Sequence, residues 1–333
     1  MRATRYIHYI YIIGIAFLLQ ACHRDSHPSN PHMEEQAIGL YATSNGMTTS
    51  RALVTNDADL QKADLGVFAY KTIPGSSDPI PVFTNTKVYH TDAEGWTYDN
   101  TRYWDRTAHY YFVSYSPHQE SDVTFENGQL TISNIPNWQT IDADAKDYVV
   151  ANHQGNAEGG YITPNGVQPV PLDFSHILSQ FEVRLQKNPL LANKYTLASI
   201  AYSDVPQKEG KTTFVHTVNG GGMRSSASSD SYLMLDTPDD TEITADADDN
   251  PSLKHLVVPF HTIVPDGIKI TLNYAVNGAS RDPAEVKTGL TQMEKGKRYV
   301  LTLTFNSGAE IIPDLQILDW ETVDADDDDK YNW

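Results

Sequence analysis

The segment PLDFSHILSQFEVRL, residues 171–185, carries the clearest strand pattern of the sequence. Apolar residues crowd together in its first part, and they then alternate with polar ones from Phe181 through Val183 to Leu185. A period of two is that of a strand with one buried face, whereas an amphipathic helix repeats about every 3.6 residues. We place the junction between two domains directly after this segment, at Gln186.

Short strand patterns separated by turn residues continue on both sides of this segment. An aromatic block at residues 109–115 alternates like a strand, and Asn127-Gly128 marks a hairpin turn. No stretch shows sustained helical periodicity with capping signals. Further strand patterns in the second half cover residues 195–202, 211–216, 253–260, 268–276 and 298–305. The sequence therefore predicts an all-β protein whose evenly spaced short strands are typical of a sandwich.

Length and charge narrow the class of protein. The 333 residues exceed the usual span of one domain, about 100–200 residues, which predicts two domains. The chain has 43 Asp and Glu against 24 Lys and Arg, a formal net charge of -19. Because such a field repels phosphate backbones and anionic lipids, we expect no nucleic-acid binding.

Residues 1–21 have the composition of an export signal. Arg2 and Arg5 supply a basic start, and residues 6–19 are apolar apart from one histidine. The apolar stretch of about 14 residues suits a signal peptide and falls short of the ~20 residues that a permanent membrane span needs. We therefore expect this lipoprotein-type leader to be removed on export.

Cys22 is the only cysteine of the chain and follows directly on this leader. Leu19, Ala21 and Cys22 fit a site at which the thiol is lipidated before the leader is cut, and Gln20 is a mild departure from the pattern. The alternative is an ordinary signal peptide with an incidental cysteine. With its thiol acylated, the mature chain forms no disulfide, and its acyl chains anchor it stably to a membrane.

Residues 22–51 are predominantly polar and are interpreted as a lipidated tether or propeptide. Within them, residues 37–42 form a small apolar island that could make one strand. Arg51 and Ala52 follow as an exposed-looking basic site ahead of the globular sequence; the alternative is an ordinary linker arginine.

Motifs for catalysis or metal binding are missing from the sequence. The histidines are scattered without the spacing of a catalytic zinc site, and no serine-nucleophile, phosphate-loop or dinucleotide motif occurs. The acidic runs 246–249 and 326–329 lack the Gly and distal Glu of a calcium loop, so they are interpreted as solvated. His176 lies within a core-like run and is predicted to be a hydrogen-bonded structural residue. We expect no catalytic residue, cofactor or metal, and an enzyme is the least favoured class.

Aromatic residues of the first half leave a second interpretation open. Exposed aromatic rings on a β-sandwich can stack on sugar rings, although about half of these residues should be core. A flat exposed platform would favour a surface glycan-binding lipoprotein. The residues concerned are Trp96, Tyr98, Tyr103, Trp104, Trp138 and Tyr161.

Several landmarks occur in an order that resembles the fimbrillin lipoproteins of Bacteroidales, the subunits and accessory proteins of type V pili. Each is a generic strand or junction, but their order behind a lipidation site is distinctive. They are the site at Cys22, the Ser-Arg-Ala junction at Arg51, the strand 66–70, Trp96, Tyr103-Trp104, the strand 111–117, the segment 172–176, Val257-Val258-Pro259-Phe260, the strand 296–304 and the terminal Ile317-Leu318-Asp319-Trp320.

The resemblance implies two tandem transthyretin-like β-sandwich domains, here residues 52–185 and 186–333, exported to the outer membrane and the cell-surface fimbriae. It also implies that an Arg-specific protease removes an N-terminal segment, after which a strand of a neighbouring subunit fills the groove. Arg51 and Ala52 would then flank the scissile bond, and residues 37–42 would be the plug strand. The expected partners are other pilus subunits, the outer membrane through the lipid anchor, and host proteins or glycans in adhesion.

The C-terminal segment departs from the pattern of stalk subunits, which carry a donor extension. The residues after Trp320 include Asp324 and the run 326–329. Adjacent carboxylates make a poor groove-filling strand, because desolvating them is costly. This favours a tip, accessory or non-polymerising role, unless residues 311–320 are themselves the mobile strand.

Overall fold

The computed structural model describes residues 36–44, 56–153, 169–217 and 220–320. Strands make up nearly all of their regular structure, which confirms the all-β prediction. The described residues include no helix long and apolar enough to cross a membrane. The helical structure of the described residues consists of α1 (Asp57–Leu60) and two short 3-10 turns at Ala247–Asp249 and Ser307–Ala309.

The strands of the first part of the chain, up to the segment quoted at the start, are β1 (Leu40–Thr43), β2 (Leu65–Thr72), β3 (Ile80–Thr91), β4 (Gly95–Tyr98), β5 (His109–Ser116), β6 (Val123–Glu126), β7 (Gln129–Pro136), β8 (Trp138–Thr140), β9 (Val149–His153) and β10 (Val170–His176).

The remaining strands are β11 (Ser179–Lys187), β12 (Tyr195–Ser203), β13 (Val205–Pro206), β14 (Lys211–Thr217), β15 (Gly220–Gly222), β16 (Ser225–Ser228), β17 (Tyr232–Ile243), β18 (Leu253–Val257), β19 (Phe260–His261), β20 (Lys269–Val276), β21 (Ala279–Ser280), β22 (Ala284–Lys287), β23 (Gln292–Met293), β24 (Lys297–Phe305) and β25 (Ile311–Asp319).

The first part of the chain is organised by a seven-stranded sheet in the order β1-β10-β9-β5-β2-β3-β4. β5, at its centre, is buried along almost its whole length. Tyr110 and Phe112 point into one hydrophobic cluster, while Tyr111, Val113 and Tyr115 point into another. Both faces of this strand are therefore covered, which explains why its sequence is a nearly continuous apolar run.

The later part of the chain has two larger sheets, β25-β24-β11-β18-β8 and β17-β12-β20-β21, with β22 also paired to β20. Side chains of both sheets share one core cluster. Phe181, Val183 and Leu185 of β11 lie in it and are fully buried, as their alternation predicts. Two smaller four-stranded sheets, β13-β16-β19-β23 and β15-β14-β7-β6, complete the fold.

The proposed domain boundary at residues 185 and 186 falls inside β11. Strands from either side of that boundary pair with each other, since β7 is bonded to β14 and β8 to β18. A third hydrophobic cluster also combines residues of both parts of the chain, among them Phe125 and Leu256. The division into two domains stays a prediction.

A buried ion cluster ties three neighbouring strands together. The Glu182 carboxylate on β11 accepts hydrogen bonds from Arg184 Nε at 2.9 Å and from Arg298 Nη2 of β24 at 3.0 Å. Lys254 Nζ of β18 lies 3.6 Å from the same carboxylate, whose side chain is 2% exposed. Burial alone would raise the pKa of Glu182, but Lys254, Arg184 and Arg298 outweigh it and hold that pKa below its usual value.

Glu182→Gln should destabilise the fold, because it removes the negative charge that three cations converge on. We expect a loss of about 2–3 kcal/mol in the free energy of unfolding, below the ~3–5 kcal/mol of a fully buried pair because the cations keep contact with water. Denaturant unfolding measures it. Glu285→Gln, at an exposed position of β22, is the matched control and should stay within about 0.5 kcal/mol. Equal losses in both variants would contradict a structural role for the cluster.

Candidate functional site

The first strand of the described chain closes one edge of the seven-stranded sheet. β1 runs parallel to β10, with Leu40 opposite Val170 and Thr43 opposite Asp173. Residues 37–42, the apolar island expected to make one strand, overlap β1, which begins at Leu40 and ends at Thr43, one residue beyond the island. Because β1 is the outermost strand, it covers the backbone donors and acceptors along the free edge of β10.

Alternate side chains of this segment point into the core. Ile38, Leu40 and Ala42 are buried in the same cluster as Leu172 and Phe174 of β10. Between them, Tyr41 is 52% exposed. The segment therefore fills the sheet as a half-buried strand does, with backbone pairing to β10 from Leu40 to Thr43 and apolar contacts on one face.

Polar contacts fix the start of the segment. The Ile38 backbone N–H donates to the Arg102 carbonyl at 2.8 Å, and the Tyr98 hydroxyl donates to the Ile38 carbonyl at 2.7 Å. Burial raises the pKa of Tyr98. The Arg102 guanidinium lies over the ring of Phe83, 4.8 Å from its centroid, and donates from Nε to the Val82 carbonyl. The Arg102 side chain thereby holds against the core the loop whose carbonyl accepts the Ile38 hydrogen bond.

The end of the segment is fixed by two carboxylates. Thr43 Oγ1 donates to Asp173 Oδ1 at 2.7 Å, across the β1–β10 pair. Ser44 donates to Asp57 Oδ1 both from its backbone N–H, at 2.8 Å, and from its hydroxyl, at 2.7 Å. Asp57 is the first residue of α1, so the N-terminus of this short helix holds the end of the first strand.

The last described strand, β25, is also an edge strand. It pairs with β24 along its full length, from Ile311 opposite Phe305 to Asp319 opposite Lys297. Its side chains are nevertheless poorly covered, since Ile312 is 43% and Ile317 56% exposed. The described chain thus begins and ends in edge strands of two different sheets.

The aromatic residues that could have formed a sugar-binding platform are mostly used in packing. Trp138 is buried, and Trp96, Tyr98 and Trp104 pack against the core of the first part. Tyr103, 48% exposed, stands out from this set, and Tyr161 lies outside the described residues. The described part of the chain therefore does not favour the glycan-binding alternative.

Two buried histidines occupy structural positions. His176 Nδ1 lies 3.0 Å from Asp147 Oδ1 in a buried pair, so the prediction of a hydrogen-bonded structural histidine is confirmed. Burial lowers the pKa of His255 to about 3, and its ring contacts those of Trp138 and Tyr202 inside the later core. Within the described ranges, no three His, Cys, Asp or Glu side chains group together to hold a metal.

The residues expected to be lipidated or cleaved, Cys22, Arg51 and Ala52, lie outside the described residues. So does the acidic run 326–329. The run 246–249 lies in a surface turn, where the Asp246 carboxylate accepts from the Asp248 backbone N–H and caps the following 3-10 turn. The contacts of Ser44 with Asp57 and of Ile38 with Tyr98 join residues distant in sequence, and no local sequence pattern predicts them.

Comparison with known proteins identifies the family. A model of the family described as fimbrillin-like matches residues 30–320. This chain belongs to the fimbrillin-like family. The match covers β1, β25 and everything between them, and the members of this family are structural proteins of fimbriae and adhesion.

Solved structures of fimbrial and cell adhesion proteins have a similar fold. The fimbrillin-like chain is 17% identical to a fimbrial protein from Bacteroides vulgatus, covering 86% of this chain and 99% of that one, with a TM-score of 0.57. A candidate cell adhesion protein from Bacteroides ovatus is 15% identical over 87% and 99% of the two chains, with a TM-score of 0.52.

The tip fimbrial protein Mfa3 from Porphyromonas gingivalis, truncated at its C-terminus, is 7% identical, over 86% and 100% of the chains, with a TM-score of 0.45. A comparison with curated protein sequences finds no match. At these identities, the two structures with the higher scores support the fold alone.

Leu40→Ala should weaken the uncleaved fold by about 2 kcal/mol or more, because it leaves a cavity between β1 and the core. Tyr41→Thr is the matched control, since it changes the exposed neighbour and keeps a residue that favours strands. We expect that variant to stay within about 0.5 kcal/mol of the parent. Denaturant unfolding of both variants measures the two losses in the free energy of unfolding. A loss at Leu40 no larger than that at Tyr41 would mean that β1 contributes little to the sheet.

Proposed function

We propose that this fimbrillin-like chain is a non-enzymatic surface subunit of type V fimbriae that assembles by strand addition after proteolysis. The observation that carries the proposal is the parallel pairing of β1 with β10. β1 is a short strand at a sheet edge that buries apolar side chains, and Arg51 follows its last residue by eight positions. Such a strand can be separated from the fold by a single cut.

Loss of β1 would leave β10 incomplete on two counts. Its backbone groups from Val170 to Asp173 would lose their partners, and Leu172 and Phe174 would lose the cover of Leu40 and Ala42. Unpaired backbone groups and exposed apolar pockets together make an edge that binds an added strand. An extended strand of a neighbouring subunit restores both kinds of contact.

Arg51 and Ala52 lie between two anchored positions of the chain. On one side, Ser44 is bonded to Asp57; on the other, the described chain resumes at Asn56, whose side chain caps α1. Cleavage between Arg51 and Ala52 would leave β1 attached by noncovalent contacts alone. An incoming strand with better apolar side chains could then displace it.

The donated strand is the second element of the proposal. β25 is an edge strand in which five of nine residues are Ile or Leu, with Ile312 and Ile317 exposed, whereas the residues that follow Trp320 are rich in aspartate. Desolvating those carboxylates in a groove would be costly. We therefore propose residues 311–320 as the strand available for donation, which makes the chain a structural or accessory subunit of the fibre with adhesion to host proteins or glycans; a strand that stays in place would instead put the chain at the tip.

Incubation of the purified precursor with an Arg-specific protease should produce a new N-terminus at Ala52 and permit assembly. N-terminal sequencing identifies the cut, and size-exclusion chromatography with electron microscopy shows the assembled species. Arg51→Gln is the control, because it removes the cleavage site and leaves the described fold unchanged. A chain that resists cleavage at Arg51 and stays monomeric would refute strand addition while leaving the fold intact.

Export as a lipoprotein is proposed from Leu19, Ala21 and Cys22, and it gives the chain its place on the outer membrane. In a bacterial host, the parent chain should incorporate labelled palmitate and fractionate with the outer membrane, because buried acyl chains contribute about 0.8 kcal/mol per methylene. Cys22→Ala should abolish both. Export of the parent chain without the label would support the ordinary signal peptide instead.

A further inference from the structure

Trp320 ends the described chain in an unusually close ring contact. Its indole stacks on the imidazole of His176 with the ring centroids 3.8 Å apart and the planes 1° from parallel. On the imidazole edge, His176 Nδ1 lies 3.0 Å from the carboxylate of Asp147. The indole is 5% exposed and belongs to the hydrophobic cluster that combines both parts of the chain.

This burial contrasts with the strand that Trp320 follows. Ile311 and Leu315 of β25 are only partly buried against the core, and Ile312 and Ile317 are largely exposed. Trp320 is the one buried side chain among the described residues from 311 onward. Because strand ends at an edge open most easily, a buried tryptophan at this end has a large influence on whether the strand stays in place.

The backbone around Trp320 is bonded to the same region. Its N–H donates to the Gly296 carbonyl at 3.0 Å, and the Gly296 N–H donates to the Leu178 carbonyl at 2.8 Å. Leu178 lies in the short connection between β10 and β11. Through the ring stack and through this backbone relay, the end of β25 is attached next to the end of β10.

β10 thus contacts both the first described strand, β1, and Trp320, the last described residue. Its first residues, from Val170 to Asp173, hold β1, and its last residue, His176, holds Trp320. The strand proposed to be removed and the strand proposed to be donated meet on one element, three residues apart between Asp173 and His176.

We propose that the stack of Trp320 on His176, backed by Asp147, is a latch that keeps β25 in its own sheet until assembly. Trp320 and His176 act as positioning residues, because they set how often β25 detaches. The partner served by the released strand is a second fimbrillin-like subunit, so this role in assembly rests on the proposed function, whereas the retention of β25 does not.

Hydrogen exchange of the uncleaved full-length chain, followed by mass spectrometry, tests the latch directly. In Trp320→Ala, peptides covering 311–319 should exchange about tenfold faster or more, while peptides of β5 at the centre of the other sheet should keep their protection. Ile317→Ser is the matched control on the same strand and should leave the exchange of β25 nearly unchanged, because its side chain is already exposed. Trp320→Phe keeps a ring on His176 and should lie between the two.

Unchanged exchange of β25 in Trp320→Ala would overturn the latch. Equal acceleration in β5 and β25 would also overturn it, because Trp320 would then stabilise the whole fold and not the strand. If Trp320→Ala fails to fold, the comparison of Trp320→Phe with Ile317→Ser decides in the same way, and a control that exchanges as fast as Trp320→Phe refutes the proposal.

The assembly step has a separate readout. After cleavage at Arg51, Trp320→Ala should assemble several-fold faster than Ile317→Ser, because its strand detaches more often. Equal rates would refute a role of the latch in assembly. If the cleaved parent chain does not assemble at all, the proposed function fails, while the exchange experiment still decides whether Trp320 retains β25.

Discussion

The continuous run of chain from Val170 to Lys187 is the constraint on which the other parts of the structure depend. β10 lies in the seven-stranded sheet, β11 in the centre of a five-stranded one, and only Ile177 and Leu178 separate them. This run contributes to all three hydrophobic clusters: Leu172 and Phe174 to the first, Ile177 and Leu178 to the one between, and Phe181, Val183 and Leu185 to the last. Packed interiors tolerate little displacement. The strands that pair with this run are therefore fixed in position relative to all three clusters.

Central and edge strands are held in their sheets with unequal strength, and this inequality gives the proposed strand addition its physical basis. β5 is covered on both faces and has neighbours on both sides, whereas among the described residues β1 and β25 each pair with one neighbouring strand. An edge strand loses one ladder and one apolar face when it leaves, so its removal costs far less than that of a central strand. Small anchors such as Ser44 on Asp57, or the ring of Trp320 on His176, can then control whether the strand stays.

Two buried polar side chains of the later part of the chain, Glu182 and His255, have structural roles. Glu182 is buried, yet it stays paired with cations from three strands, an arrangement that favours one register of β11 against β18 and β24. The His255 ring, with its pKa lowered by burial, is neutral near neutral pH and behaves as an aromatic core residue. These groups lie in sheet interiors away from the exposed edges, which agrees with a family of structural proteins.

The sequence by itself determined the all-β class, the burial of Phe181, Val183 and Leu185, a strand overlapping residues 37–42 and the structural character of His176. Each of these follows from local periodicity or from a run of apolar neighbours, which the chain displays without reference to distant residues. Cys22, Arg51 and Ala52 remain predictions from sequence, as does the domain boundary at Gln186. Only the tertiary structure decided that β1 lies parallel on β10, that Asp57 holds Ser44 and that Trp320 stacks on His176. Strand order and such contacts join residues far apart in the chain, and they depend on which edges remain open once the core has packed, so no local pattern could specify them.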